Sequence, residues 1–439
     1  MHRRRLLQAA GVGGIAAALR FGTPADVSAV AEEADVSHPG GPAPVIKQMR
    51  VTPVAFFDCP VRHAWGAHPS VGTRNIVELE TADGLVGLGE IYGGSKWVQR
   101  LEKARSAVVG ASPCDLNVLR GKLENERIYS VVETACLDLL GKHLGVGVCD
   151  LLGGAVRDPV PFAAYLFYKF DAEDKRDPWG RVMSPEAMVT MTRGWVKKWG
   201  FQTLKLKGGV LAPKVEVETV QALREAFPKA KLRIDPNGVW TVPESIAVAK
   251  ALKDVGLEYL EDPIRGKENM AAVRKAVDVP LSTNSGSITH RFEGVKAAVA
   301  AECIDVMLGD THFWEGIGGV YRLGTVCRSV GWTLGQHSNT HLGVSMAAMV
   351  HAAAATPELV HASDTHYPWQ VEDVIKGGNL PIRKGAIAVP EGPGLGVELD
   401  ADALAERHEH YKRVQGHIKH GREVIKQHIP DWHLRPWAK

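Results

Sequence analysis

From about Pro159 onward the chain repeats one pattern: a short β-rich run ending in polar residues, then a helical stretch. The run ends are Tyr165-Leu166-Phe167-Tyr168, Leu204-Lys205-Leu206-Lys207-Gly208-Gly209, Arg233-Ile234-Asp235-Pro236-Asn237 and Tyr259-Leu260-Glu261-Asp262-Pro263. They continue with Leu281-Ser282-Thr283-Asn284, Val306-Met307-Leu308-Gly309-Asp310, Leu334-Gly335-Gln336-His337 and Ala362-Ser363-Asp364-Thr365-His366. After the first unit the interval is roughly 23 to 30 residues, about the length of one strand plus one helix. Eight such units predict an α/β fold of the (β/α)8-type barrel class. A doubly wound open sheet is the alternative that the spacing leaves.

A chain of 439 residues is too long for such a barrel alone and predicts a second, smaller domain. Residues 46–157 read as an N-terminal α+β capping domain. There Thr73–Thr81 forms a strand, Ala82-Asp83-Gly84 a turn and Leu85–Glu90 its hairpin partner. Val132, Cys136, Leu139 and Leu140 then mark an amphipathic helix over 129–144. Residues 158–380 form the barrel. Residues 381–439 leave the rhythm and are expected to pack back on the capping domain, through the hairpin-like Ala386–Pro390.

Lys+Arg of 52 against Asp+Glu of 50 argues against nucleic acid or an anionic membrane as partner. The 6 cysteines are widely spaced with no metal-ligand pattern, and read as buried apolar residues rather than a disulfide framework. Residues 1–45 differ in character. Arg3-Arg4-Arg5 precedes a short apolar run and Ala29-Val30-Ala31, which describes a twin-arginine export signal and a Gly/Pro-rich linker. A functional signal implies a periplasmic or secreted protein; otherwise the chain is cytoplasmic.

In a barrel the C-terminal strand ends form the active site. Lys205 and Lys207, two apart on one strand, both point inward, and two crowded ammonium groups are expected to lower a lysine pKa until a neutral amine base is available. Asp235, Glu261 and Asn284 end three successive strands and offer hard oxygen ligands that suit Mg²⁺. Singly each has a plainer reading, as turn former or helix cap. Asn237 could offer its amide to the same cavity. Asp310 and His337 end the next two strands, where a carboxylate on one imidazole nitrogen would raise the basicity of the other. Together these groups suit abstraction of the weakly acidic proton beside a carboxylate.

The same residues resemble the enolase superfamily, and within it the glucarate dehydratase group. The likeness is carried by KLKGGV ending at Val210, RIDPNGV from Arg233, EYLEDP from Glu258, Ser282-Thr283-Asn284, GDTHFW from Gly309 and GQHSNTH from Gly335. SDTHY from Ser363 and VPEGPGLGVELD from Val389 extend it. The resemblance implies that Asp235, Glu261 and Asn284 hold Mg²⁺. It implies that Lys207 and the His337–Asp310 pair are two opposed bases, supported by Lys205 and Asn237. It also implies substrate contacts at His68, Tyr165, Phe167, Ser338, Asn339, His366 and Arg435. Three features depart from the pattern: His63 in place of an asparagine, a short segment over Leu119–Val131, and the leader.

The expected activity is a Mg²⁺-dependent dehydratase (a hydro-lyase) of a sugar diacid resembling D-glucarate or L-idarate, giving a keto-deoxy diacid. An acid-sugar epimerase or racemase, or a dehydratase of a different acid sugar, is the alternative on this scaffold. An exported, non-catalytic sugar-acid binding protein is a third reading. The expected partners are the small substrate and further copies of the chain, with no nucleic acid and, after signal removal, no membrane.

Overall fold

The computed structural model describes residues 44–434 except 124, 173, 285, 287 and 290. The leader, most of the linker and Arg435 therefore lie outside the described residues.

The N-terminal part begins with β1 (Ile46–Phe57), followed by the two-residue strands β2 (Arg62–His63) and β3 (Gly66–Ala67), which pair with each other. β4 (Val71–Thr81) lies antiparallel between β1 and β5 (Val86–Tyr92). Helices α1 (Ser95–Val108), α2 (Leu116–Lys122), α3 (Glu126–Leu144) and the short α4 (Val148–Leu151) follow. Asn125 caps α3 by accepting from the N–H of Arg127 and Ile128, and Gly145 ends it in the left-handed region. Rather than showing one apolar face, α3 is buried almost all round, packed between β5 and a helix of the barrel. The approach to β5 is close enough that a Cβ on Gly87 would overlap the Ala135 carbonyl oxygen.

The barrel runs β6 (Val160–Phe167), α5 (Pro185–Trp199), β7 (Thr203–Lys207), α6 (Pro213–Ala226), β8 (Lys231–Asp235), α7 (Val242–Ala251), β9 (Tyr259–Glu261) and α8 (Lys267–Ala276). It continues with β10 (Leu281–Thr283), α9 (Phe292–Ala300), β11 (Val306–Gly309), α10 (Gly316–Val330), β12 (Thr333–Gln336), α11 (Gly343–Ala355) and β13 (Ser363–Thr365). All eight strands are parallel, in the order β12-β11-β10-β9-β8-β7-β6-β13. Leu334 on β12 bridges Leu359, just before β13, so the ring is nearly closed. That excludes the open sheet. Ser184 at the start of α5 and the Thr241–Glu244 capping box of α7 show the strand-to-helix turns being set by local side-chain caps. The alanine-rich α11 is buried on every face.

The stretch around Ala386 does not form a hairpin on the first domain. Instead β14 (Ala386–Ile387) adds to β6 of the barrel, because the edge of Val160 and Pro161 is open to it. The return to the N-terminal part comes later. On α12 (Ala401–Val414), His408 Nδ1 lies 2.7 Å from the Pro53 carbonyl and His410 Nδ1 lies 3.2 Å from that of Ala55. The last helix, α13 (Gly421–His428), packs on β3.

Candidate active site

The pleat of β7 turns Lys205 and Lys207 into the barrel, while Leu204 and Leu206 join the apolar core outside it. Lys207 donates to Asp235 Oδ2 at 2.5 Å. Lys205 Nζ stands 2.6 Å from Asp364 Oδ2, 2.5 Å from Glu261 Oε2 and 3.6 Å from Asp235 Oδ2, and all four groups are buried. The remaining Asp235 oxygen accepts from both the backbone N–H and the side-chain amide of Asn237, at 2.9 and 3.0 Å. Asn237 reaches it from a left-handed conformation (φ 54°) that asparagine tolerates.

These neighbours reverse one expectation. Burial opposes charge on both lysines, but Asp364 and Glu261 around Lys205, and Asp235 beside Lys207, outweigh it and raise both pKa values above the usual lysine range. The pair was expected to repel itself toward neutrality; with carboxylates converging from three other strands it is held charged.

Two of the neighbouring carboxyl groups are pushed toward the neutral form, whereas the lysines hold Asp235 low against its burial. Burial and the nearby Asp235 push Glu261 well above the ordinary range, and burial with Asp235 lifts Asp262 to about 7. Glu261 Oε1 is buried and accepts no hydrogen bond among the described residues. Asn284 follows the next strand, its backbone N–H donating to Asp262 Oδ2 at 3.2 Å. Oxygen donors on three successive strand ends, one of them buried and unsatisfied, fit a hard divalent cation held by Asp235, Glu261 and Asn284.

On the facing side, His337 Nδ1 donates to Asp310 Oδ2 at 2.8 Å. Asp310 Oδ1 accepts the His312 backbone N–H at 2.7 Å, and burial of the carboxylate is outweighed by its histidine partners, which hold its pKa low. With Nδ1 carrying the proton, neutral His337 leaves Nε2 as its basic nitrogen. Lys207 and His337 line the same cavity of about 370 Å³, together with Asn237, His68, Tyr165, Phe167, Ser338, Asn339 and His366.

A family profile described as enolase C-terminal domain-like matches residues 187–403. A probable glucarate dehydratase of Streptomyces coelicolor is 39% identical over 421 residues, which span 88% of this chain and 97% of the relative. This chain belongs to the enolase superfamily. Solved members share its architecture. An enolase from Mycobacterium smegmatis complexed with tartrate is 42% identical, covering 90% of this chain and 99% of that one, with a TM-score of 0.86. An enolase from Thermobispora bispora complexed with magnesium and formate is 41% identical, covering 90% of this chain and all of that one, with a TM-score of 0.85.

In this enolase-superfamily barrel Asn284 lines a neighbouring cavity that shares Asn237, His337 and Asn339 with the one just described. Tyr165 and Phe167 pack ring against ring at 4.9 Å on β6, and Asn339 donates to the Tyr92 hydroxyl at 2.9 Å. Ser338 Oγ donates a long bond to the Asn339 carbonyl, at 3.4 Å. Sequence reasoning missed Asp58. This buried carboxylate accepts from His68 Nδ1 at 2.8 Å and His366 Nε2 at 3.0 Å, tying a histidine that directly follows β3 to one of the barrel. Asp364 was also missed, although it stands beside His366 in the quoted SDTHY stretch. His63, Trp65 and Tyr92 line the cavity as well. Asp58–His68–His366 and Asp310–His312–His341 each place possible metal-ligating atoms within 4.8 Å of one another. In each, the carboxylate is already engaged by N–H donors from the histidines around it.

Proposed function

We propose that this protein is an acid-sugar dehydratase that removes the proton beside a carboxylate and expels the neighbouring hydroxyl, with a glucarate-like diacid as substrate and Mg²⁺ as cofactor. One observation carries the reading: an amine paired with a buried carboxylate and a carboxylate-oriented imidazole face one cavity. The 39% identity to a probable glucarate dehydratase supports the reaction class.

Asp235, Glu261 and Asn284 would hold the cation, which when bound supplies positive charge beside the substrate carboxylate. Lys207 and His337 are the two bases, each suited to one configuration of the carbon that loses its proton. Lys205, fixed by Asp364 and Glu261, keeps the floor charged, and Asn237 holds Asp235 in place. The electron pair left by the departing proton forms a carbon–carbon double bond as the neighbouring C–O bond breaks. A proton from imidazolium His337 lets the hydroxyl leave as water, and the enol product relaxes to a ketone. His68 and His366, locked by Asp58, and the Tyr165–Phe167 wall would enclose the rest of the substrate.

Opposed bases also suit epimerisation, in which a proton removed by one is returned by the other without loss of hydroxide. Incubating the purified protein with Mg²⁺ and a library of sugar diacids and monoacids separates the readings. A ketone product is expected; epimerised acid without ketone would favour the second reading. Binding with no deuterium uptake from D₂O would reduce the protein to a sugar-acid binder.

A further inference from the structure

The two candidate bases are mounted on different frames. Lys207 is held from within the barrel, by Asp235 and the carboxylates around Lys205. The segments that follow Asp310 and His337 are gripped instead by the N-terminal strand-and-helix domain. Glu90, on β5, accepts from the Leu342 and Ser345 N–H groups at 2.9 and 2.8 Å, at the start of α11. Its backbone carbonyl accepts from His312 Nε2 at 2.9 Å, and His312 is the residue whose N–H donates to Asp310. Arg74, on β4, donates to the Thr340 carbonyl at 2.7 Å and pairs with Glu90 at 3.4 Å. A second carboxylate, Glu133 of α3, accepts from Ile317 and Gly318 at 3.0 and 2.8 Å, at the start of α10. The cradle is built for it: Gly316 sits at φ 82°, and a Cβ there would overlap the Glu133 carboxylate. Glu90, Arg74 and Glu133 are all buried.

We propose that Glu90 is a positioning residue for the His337–Asp310 pair. Assisted by Glu133, it makes the N-terminal domain set the imidazole side of the site while leaving the amine side to the barrel. A helix start held by two hydrogen bonds to one buried carboxyl group is fixed far more tightly than one facing water, and an ångström of drift in a base is enough to lose catalysis. The inference rests on the two-base reading above.

Deuterium uptake from D₂O at the carbon beside the carboxylate, measured in the acid recovered undehydrated from each of two epimeric diacids, tests it. In Glu90→Gln, the amide can accept from only one of the two N–H groups. Uptake through the imidazole side should fall at least tenfold, while uptake through the amine side stays within about threefold. Glu133→Gln should move the same side in the same direction and decides the matter if Glu90→Gln does not fold. In the metal-free protein, the low-field proton resonance that His337→Asn removes should shift or broaden in Glu90→Gln, a readout independent of turnover. Equal loss of both epimers, no loss of either, or failure of both variants to fold would overturn the inference. Absence of both ketone formation and deuterium uptake with the unaltered protein would instead sink the two-base reading itself.

Discussion

Lys207 and Asp235 are register partners on adjacent parallel strands, and the lysine donates to the aspartate at 2.5 Å. The proposed base and the proposed metal ligand are therefore one ion pair while no cation competes for the carboxylate. Asp235 keeps the amine protonated, and a protonated amine takes no proton. Exhaustive chelation should abolish deuterium uptake from both epimers, and added Mg²⁺ should restore it. Uptake that survives chelation removes the cation from the reaction.

Asp310→Asn should cripple the imidazole side through the wrong tautomer. The His312 N–H already claims the Oδ1 position, so the asparagine oxygen belongs there and its NH₂ turns toward His337 Nδ1. That forces the imidazole proton onto Nε2, where it blocks proton acceptance. Uptake by this side should fall by about 100-fold or more, with the amine side unchanged. An equal loss on both sides would mean that Asp310 is needed for the fold rather than for the tautomer.

All eight barrel strands were legible because each β-rich run ends in a polar residue, a pattern that survives in one dimension. The placement of Lys207, Asp235, Glu261, Asn284, Asp310 and His337 at strand ends came with them. Partnerships across the ring were not legible. Asp364 meets Lys205 from 159 residues away, and reading Lys205 with Lys207 alone gave the wrong direction for the lysine pKa. Asp58 lies in no quoted motif, and its importance emerges only when His68 and His366 come to either side of it. The pairing of Ala386–Ile387 with β6 was not legible either, because two residues of strand say nothing about which edge is open.

Lys205→Met should be costly for stability. The variant would leave Glu261, Asp364 and Asp235 close together and buried without their shared cation. Removing one member of a buried charge cluster costs roughly 3–5 kcal/mol. Mg²⁺ should recover part of the loss by taking up Asp235 and Glu261, but not the share due to Asp364. Equal melting temperatures for variant and parent would show that these carboxylates are protonated in the folded protein.

Glu133 gives the fold a pH dependence of defined sign. Burial is the chief cause that lifts its carboxyl from 4.5 to about 7, against the opposing pull of the Gly318 and Ile317 N–H groups. A carboxyl whose pKa rises on folding stabilises fully below its unfolded value, and that contribution is lost as pH climbs through the folded value. The window is pH 4.5 to 7, and the full effect of such a shift is roughly 3 kcal/mol. Glu90 and Glu261 are also raised and act with the same sign, so a melting curve of the parent alone would mix them. Glu133→Gln retains those groups and lacks only this ionisation. The stability of the parent relative to the variant should therefore shrink steadily from pH 5 to 7 and level off by pH 8. A difference that stays constant over that range would show that Glu133 is ionised throughout, its charge fully met by the two N–H groups of α10.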